Sequence, residues 1–342
     1  MKSRRVEDRV RAVHLLARAE ASPEQQRLLL AALEDRVNYV AAQAAEALGK
    51  CADASIAQQM VERFLWLSED GPKRDPGCHI RAHLAFAFAR LEFPPAVPAL
   101  RLGLRTTQIE PVGGVPFDTG AHLRANCALA LADMRAPGAL RDITLLLFDM
   151  SGYALGGRSF AARPDPQAAS VKVEPRKAAA QALARLGDKN GLLPLAIKLT
   201  HPGEEVADVL QECMQAVVEL EDERALELLE PYLQHPDPAL AAYAALMIAQ
   251  TRAPEAPALI REAIRHLSGD PLQAAVLALS TLRTEEARDV LHSLAEDGRD
   301  AVRLALVEAL ADRQDAQDRE CLRRLAEKDR SAIVRNAAKR AL

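Results

Sequence analysis

The sequence predicts an all-α solenoid, a row of about ten helical hairpins, and three observations carry that prediction. An apolar position that opens a helix recurs ten times, at Val10, Val40, Ile80, Leu123, Pro175, Val209, Leu240, Leu272, Val302 and Val334. Six of the nine intervals between these anchors are 30 to 34 residues, and three consecutive ones are longer, at 40, 43 and 52. Arg follows the anchor at six of the ten places: Arg11, Arg81, Arg124, Arg176, Arg303 and Arg335. Finally, the hydrophobic fraction is 49% while aromatics are only 4%. A chain built on Ala and Leu suits closely packed helices rather than sheets.

The clearest unit is 175–199, PRKAAAQALARLGDKNGLLPLAIKL. Ala179, Ala182, Leu183 and Leu186 fall three or four apart and share one helix face. Pro175 stands where a helix begins without losing a hydrogen bond, so the helix is expected to start there. Gly187 permits the left-handed turn that ends it, and Asp188 caps the next helix, which carries Leu192, Leu195, Ile197 and Leu199. Neither helix buries its apolar face alone, so each repeat needs its neighbours. The last unit, 330–342, has only a first helix, and Arg335, Lys339 and Arg340 make it a polar cap.

The pattern V/I-R-x-A-A-x-x-A-L is carried by 175–183, with Pro first, and by 302–310, VRLALVEAL. An Asp shortly before the anchor accompanies it at Asp118, Asp237, Asp270, Asp300 and Asp329. On these residues the chain resembles HEAT-repeat proteins, specifically the short-period kind known as phycobilin-lyase HEAT-like repeats. The resemblance covers almost the whole chain. It implies one right-handed superhelix over 1–342, with second helices lining the concave side and Asp–Arg ladders between repeats. It implies fold more than function, because the motif encodes packing and the fold hosts many activities.

The three long intervals mark inserts at 68–78, 106–120 and 151–172. Each follows a second helix, so all three leave the same edge of the array on consecutive repeats. They hold eight of the sixteen glycines, and Gly113, Gly114, Gly156 and Gly157 are expected to shape these loops through their tolerance of positive φ. Phe117, Tyr153 and Phe160 also lie there, and the single Trp66 stands just before the first insert. In an aromatic-poor chain, contact energy concentrates at such residues.

Net charge is −4, so no global field draws the protein to nucleic acid or an acidic membrane. Residues 204–230 hold ten acidic side chains against one basic, and 73–105 hold six basic against two acidic. Arg101 and Arg105 are four apart beside an apolar stripe, as are Arg261 and Arg265, and both pairs are placed to face a partner. Arginines separated by an acidic belt make a poor nucleic-acid track. The five cysteines are odd in number and form no CxxC pair, which fits a reducing compartment. With no apolar leader and no run of about 20 apolar residues, a cytoplasmic protein is the simplest expectation.

Catalytic patterns were sought. The sequence has no GxSxG, Walker-type loop, GxGxxG or HExxH, and no His-Glu step of the kind that supplies iron ligands in deoxyhypusine hydroxylase. Cys78, His79, His83, His122 and Cys127 form a metal-like grouping whose simpler reading places His83 and Cys127 in small core slots. No cofactor is expected. The function expected is a non-catalytic scaffold that binds a protein or peptide. Its contacts are Trp66, Phe117, Tyr153 and Phe160, with Arg101, Arg105 and Arg158 fixing polar groups. The alternative, carried by the repeat resemblance alone, is a bilin-lyase-like protein acting on a tetrapyrrole-bearing partner. Nucleic-acid binding ranks below both.

Overall fold

The computed structural model describes residues 3–19, 22–149, 166–200, 206–220, 224–313 and 315–342. The chain divides into two compact units, Met1–Pro194 and Leu195–Leu342, and each is described by itself.

In the first unit the hairpins are α1 (Val6–Arg18) with α2 (Pro23–Ala32), then α3 (Asn38–Cys51) with α4 (Ala54–Glu69). A short α5 (Gly71–Arg74) precedes α6 (His79–Arg90) and α7 (Val97–Leu104). Two strands, β1 (Ile109–Val112) and β2 (Val115–Asp118), lead to α8 (Ala121–Asp133), α9 (Ala139–Leu147) and α10 (Pro166–Leu186). The first helices α1, α3, α6, α8 and α10 each pack on the next, and each of α2, α4, α7 and α9 lies against the first helix of the repeat that follows. The boundary falls inside α11 (Leu192–Thr200).

The second unit continues with α12 (Ala207–Glu219), α13 (Ala225–Leu229), α14 (Pro238–Thr251), α15 (Ala256–His266) and α16 (Gly269–Thr281). It ends with α17 (Glu285–Ser293), α18 (Asp300–Ala311), α19 (Ala316–Lys328) and the single helix α20 (Ala332–Ala341). Here α12, α14, α16, α18 and α20 stack in the same way. The fold is an all-α solenoid of helical hairpins carrying one small β-hairpin. Among the described residues no helix is long and apolar enough to cross a membrane.

Each of the ten first helices holds one of the expected anchors, and all but Val10 are buried. The exception is a matter of register. Arg9, not Arg11, is the buried arginine of the first repeat, and Arg11 is exposed. Arg9 and Arg303 are each the fourth residue of their helix, and each pairs at 2.7 Å with an Asp 26 residues on, Asp35 and Asp329. Arg–Asp rungs are therefore present at Arg9–Asp35 and Arg303–Asp329, the first shifted by two residues from the expected Arg11, whereas Asp237 caps α14 instead.

The buried arginine does two jobs. Backwards, it holds the residue six positions earlier: the Ser3 carbonyl for Arg9, the Asp297 carbonyl for Arg303, the Asp75 carboxylate for Arg81 and the Asp118 carboxylate for Arg124. Forwards, it reaches the next repeat, at Asp35, Asp329, Asp149 and, for Arg81, Gln108. One planar, permanently charged fork thus fixes two junctions, which a lysine ammonium does less well.

Two expectations are corrected. Pro175 does not start its helix: α10 begins at Pro166 and carries Pro175 inside it. An internal proline loses one backbone hydrogen bond, and the preceding QAASVK run contains enough helix formers to extend the helix backwards. The third insert accordingly ends before 166, since 166–172 are helical. Likewise Ser68 and Glu69 belong to α4 rather than to the first insert.

Candidate interaction surface

The first two inserts meet and form one structure. In the first, Pro72 stands at the start of α5, and a tight turn at Pro76–Cys78 carries positive φ at Gly77 (77°) and Cys78 (58°). This turn brings Asp75 back over the start of α6. Its fully buried carboxylate accepts from the backbone N–H of Ile80 and Arg81 and from Arg81 Nε at 2.9 Å. A carboxylate there satisfies helix-end donors and the local dipole together.

Arg81, only 1% exposed, continues to Gln108 Oε1 at 2.6 Å and to Cys78 Sγ at 3.2 Å. Gln108 opens the second insert. Its Nε2 donates to the Asp75 carbonyl (3.1 Å) and to Glu110 Oε2 (3.0 Å). Glu110 also accepts from the Gly77 N–H at 2.8 Å and from the Thr119 hydroxyl. Burial pushes the Glu110 carboxyl up, but these hydrogen bonds and the Arg81 charge outweigh it and hold it below the usual range. Next along, Asp118 accepts from the Gln108 and Gly120 N–H groups and from Arg124, which also forms an ion pair with Asp149.

What this polar network mounts is a β-hairpin. Ile109 pairs with Asp118, Glu110 with Phe117, Pro111 with Pro116 and Val112 with Val115. Gly113 (φ 59°) and Gly114 (φ 84°) form the turn, and positive φ at both central residues is the geometry that matches strand twist. Thr119 N–H donates to the Gln108 carbonyl, which makes the 108/119 pair hydrogen-bonded. By alternation 110/117 and 112/115 are hydrogen-bonded as well, and the nitrogens of the 109/118 and 111/116 pairs point outward, the latter pair being Pro111 and Pro116. Each open edge thus has a proline where it would otherwise offer a donor. Ile109, Pro111 and Pro116 are all exposed and share one face with the buried Asp118, opposite Glu110 and the half-buried Phe117. Val112, at the tip, is 52% exposed.

The other expected contact residues are placed as follows. Trp66 lies on α4, with the Arg63 and Arg74 guanidinium carbons 4.1 and 4.2 Å from its ring centroid. The ring is therefore flanked by Arg63 of the same helix and by Arg74 of the first insert. Arg101 is committed to the following repeat through Asp142 at 2.7 Å and the Pro137 carbonyl. Arg105, far more exposed, approaches the same Asp142 at 3.5 Å. Arg105, Thr107, Arg124, Asp142 and Asp149 line a cavity of about 200 Å³ beside the second insert. Tyr153, Gly156, Gly157, Arg158 and Phe160 lie outside the described residues.

The thiols of the metal-like grouping are packing groups. Gly103 exists because a Cβ there would lie 2.5 Å from Cys127 Sγ and 2.9 Å from Phe64. Burial pushes the Cys127 thiol up and the Cys78 thiol up to about 12, so both stay protonated near neutrality. Among the described residues no three His, Cys, Asp or Glu side chains converge as a metal needs.

Asp75, Gln108 and Glu110 went unnoticed in the sequence. A signal was present for the first: Asp75 precedes Arg81 by six residues, as Asp118 precedes Arg124.

In comparison with known proteins, the family model of HEAT repeats matches residues 256–342. No curated protein matches the sequence. Among solved structures, the chain is similar to the CpcE–CpcF complex of phycocyanin lyase from Nostoc, at 19% identity over 95% of this chain and 97% of that one, TM-score 0.37. Human deoxyhypusine hydroxylase in complex with glycerol is 17% identical over 82% and 91%, TM-score 0.32. Kap121p bound to Nup53p is 12% identical over 99% of this chain and 40% of that one, TM-score 0.49. Likenesses at this level concern helical-repeat architecture and nothing beyond it.

Proposed function

We propose that this protein is a non-catalytic scaffold that binds another protein, and that the platform built by its first two inserts is a principal contact surface. The observation that carries this reading is the mounting of the hairpin. A polar chain of buried Asp75, Arg81 and Gln108, ending at the half-buried Glu110, holds in place a hairpin on which Ile109, Pro111 and Pro116 are exposed. Burying an arginine and a carboxylate adds little net stability compared with apolar packing of the same volume. Such a network is better suited to fixing geometry. A rigid apolar projection loses little conformational entropy when a partner docks, and this favours binding.

The prolines define the mode of contact. With Pro111 and Pro116 on the outward positions, strand addition by a partner is disfavoured on both edges, and recognition runs through side chains on the Ile109–Pro111–Pro116 face and the Val112 tip. Trp66 and Arg105 flank the same inserts and supply the aromatic and charged rim. The expected contributions of Tyr153, Arg158 and Phe160 remain part of the proposal.

Site-specific photo-crosslinking tests it. Benzoylphenylalanine is placed at Val112 and, as a control, at the exposed Ile333 of α20. One discrete protein adduct from position 112, weakened by Ile109→Asp and missing from position 333, supports the assignment. Identical patterns from both positions, or none from 112, refute it.

A further inference from the structure

We draw no further inference here: the strongest candidate, the surface patch formed by the exposed Leu28, Leu65 and Leu102 on the second helices α2, α4 and α7 of the first unit, is an apolar face for which nothing in the structure shows what covers it.

Discussion

Glu110 ties the hairpin to the first insert through the Gly77 N–H and braces the hairpin base through Gln108 and Thr119. Glu110→Ala takes the acceptor from three donors: the Gly77 N–H, Gln108 Nε2 and the Thr119 hydroxyl. A hydrogen bond to a charged group contributes about 1.5–3 kcal/mol, but this carboxylate is only half-buried and water replaces part of what is lost. Discounting each contact to about 0.5–1 kcal/mol gives about 1.5–3 kcal/mol for the three. Local opening should then accelerate amide exchange about 10- to 150-fold across 75–81 and 106–120, because 1.4 kcal/mol is a factor of ten. The helices α1 and α2 share none of these bonds and serve as the internal reference. Glu110→Gln keeps the shape without the charge and should fall between wild type and alanine.

The same residue has a pH signature. Its folded carboxyl is held below the ordinary value, so the stabilisation is fully present above the unfolded value of about 4.3 and is lost as pH falls through the folded one. Exchange of the hairpin, corrected for intrinsic rates, should therefore rise relative to α1 and α2 below about pH 4 in the wild type. In Glu110→Ala that rise should be missing. Less than threefold acceleration in the alanine variant at pH 7 would refute the claim that the network holds the hairpin in place.

Three further outcomes follow from the packing. Gly103→Ala forces a methyl against Cys127 and Phe64 and should destabilise the first unit by about 1–3 kcal/mol in urea melts, with partial recovery on adding Cys127→Ala. Arg303→Met leaves the buried Asp329 carboxylate with only the Ser331 N–H as partner, so about 3–5 kcal/mol should be lost from α18–α20, read as exchange confined to those helices. Burial raises the Asp318 carboxyl but Arg313 and His292 outweigh it, and its folded value is depressed. The stabilisation it supplies should persist above about pH 3.9 and disappear below, in urea melts followed by circular dichroism, and Asp318→Asn should flatten that dependence.

The helical array was legible because burial repeats: nine of ten anchors are buried, and a position that must be apolar every 31 residues or so cannot hide. Local signals served less well. Pro175 carries the mark of a helix start and lies within a helix, since one missing donor does not by itself end a run of helix-forming residues. Arg11 matches the repeat pattern by spacing, yet Arg9 makes the ladder, because the ladder is decided by which guanidinium reaches Asp35. Pairwise reach of that kind is a property of three dimensions, and so is the route from Asp75 through Arg81 to Gln108.

The hairpin is the instructive case. Gly113 and Gly114 stood out as loop-shaping residues, but the four-residue runs on either side, IEPV and VPFD, each contain a proline, which argues against a strand. The register removes the conflict. Pro111 and Pro116 face each other at a pair whose nitrogens leave the ladder, so neither costs the hairpin a hydrogen bond. Were either shifted by one residue, it would fall on a hydrogen-bonded pair and break it. The prolines that conceal the strands in the sequence are thus the residues that close both edges. In the proposed role, a hairpin with a proline on each edge and with Ile109, Pro111 and Pro116 exposed would engage a partner through its side chains without recruiting stray strands.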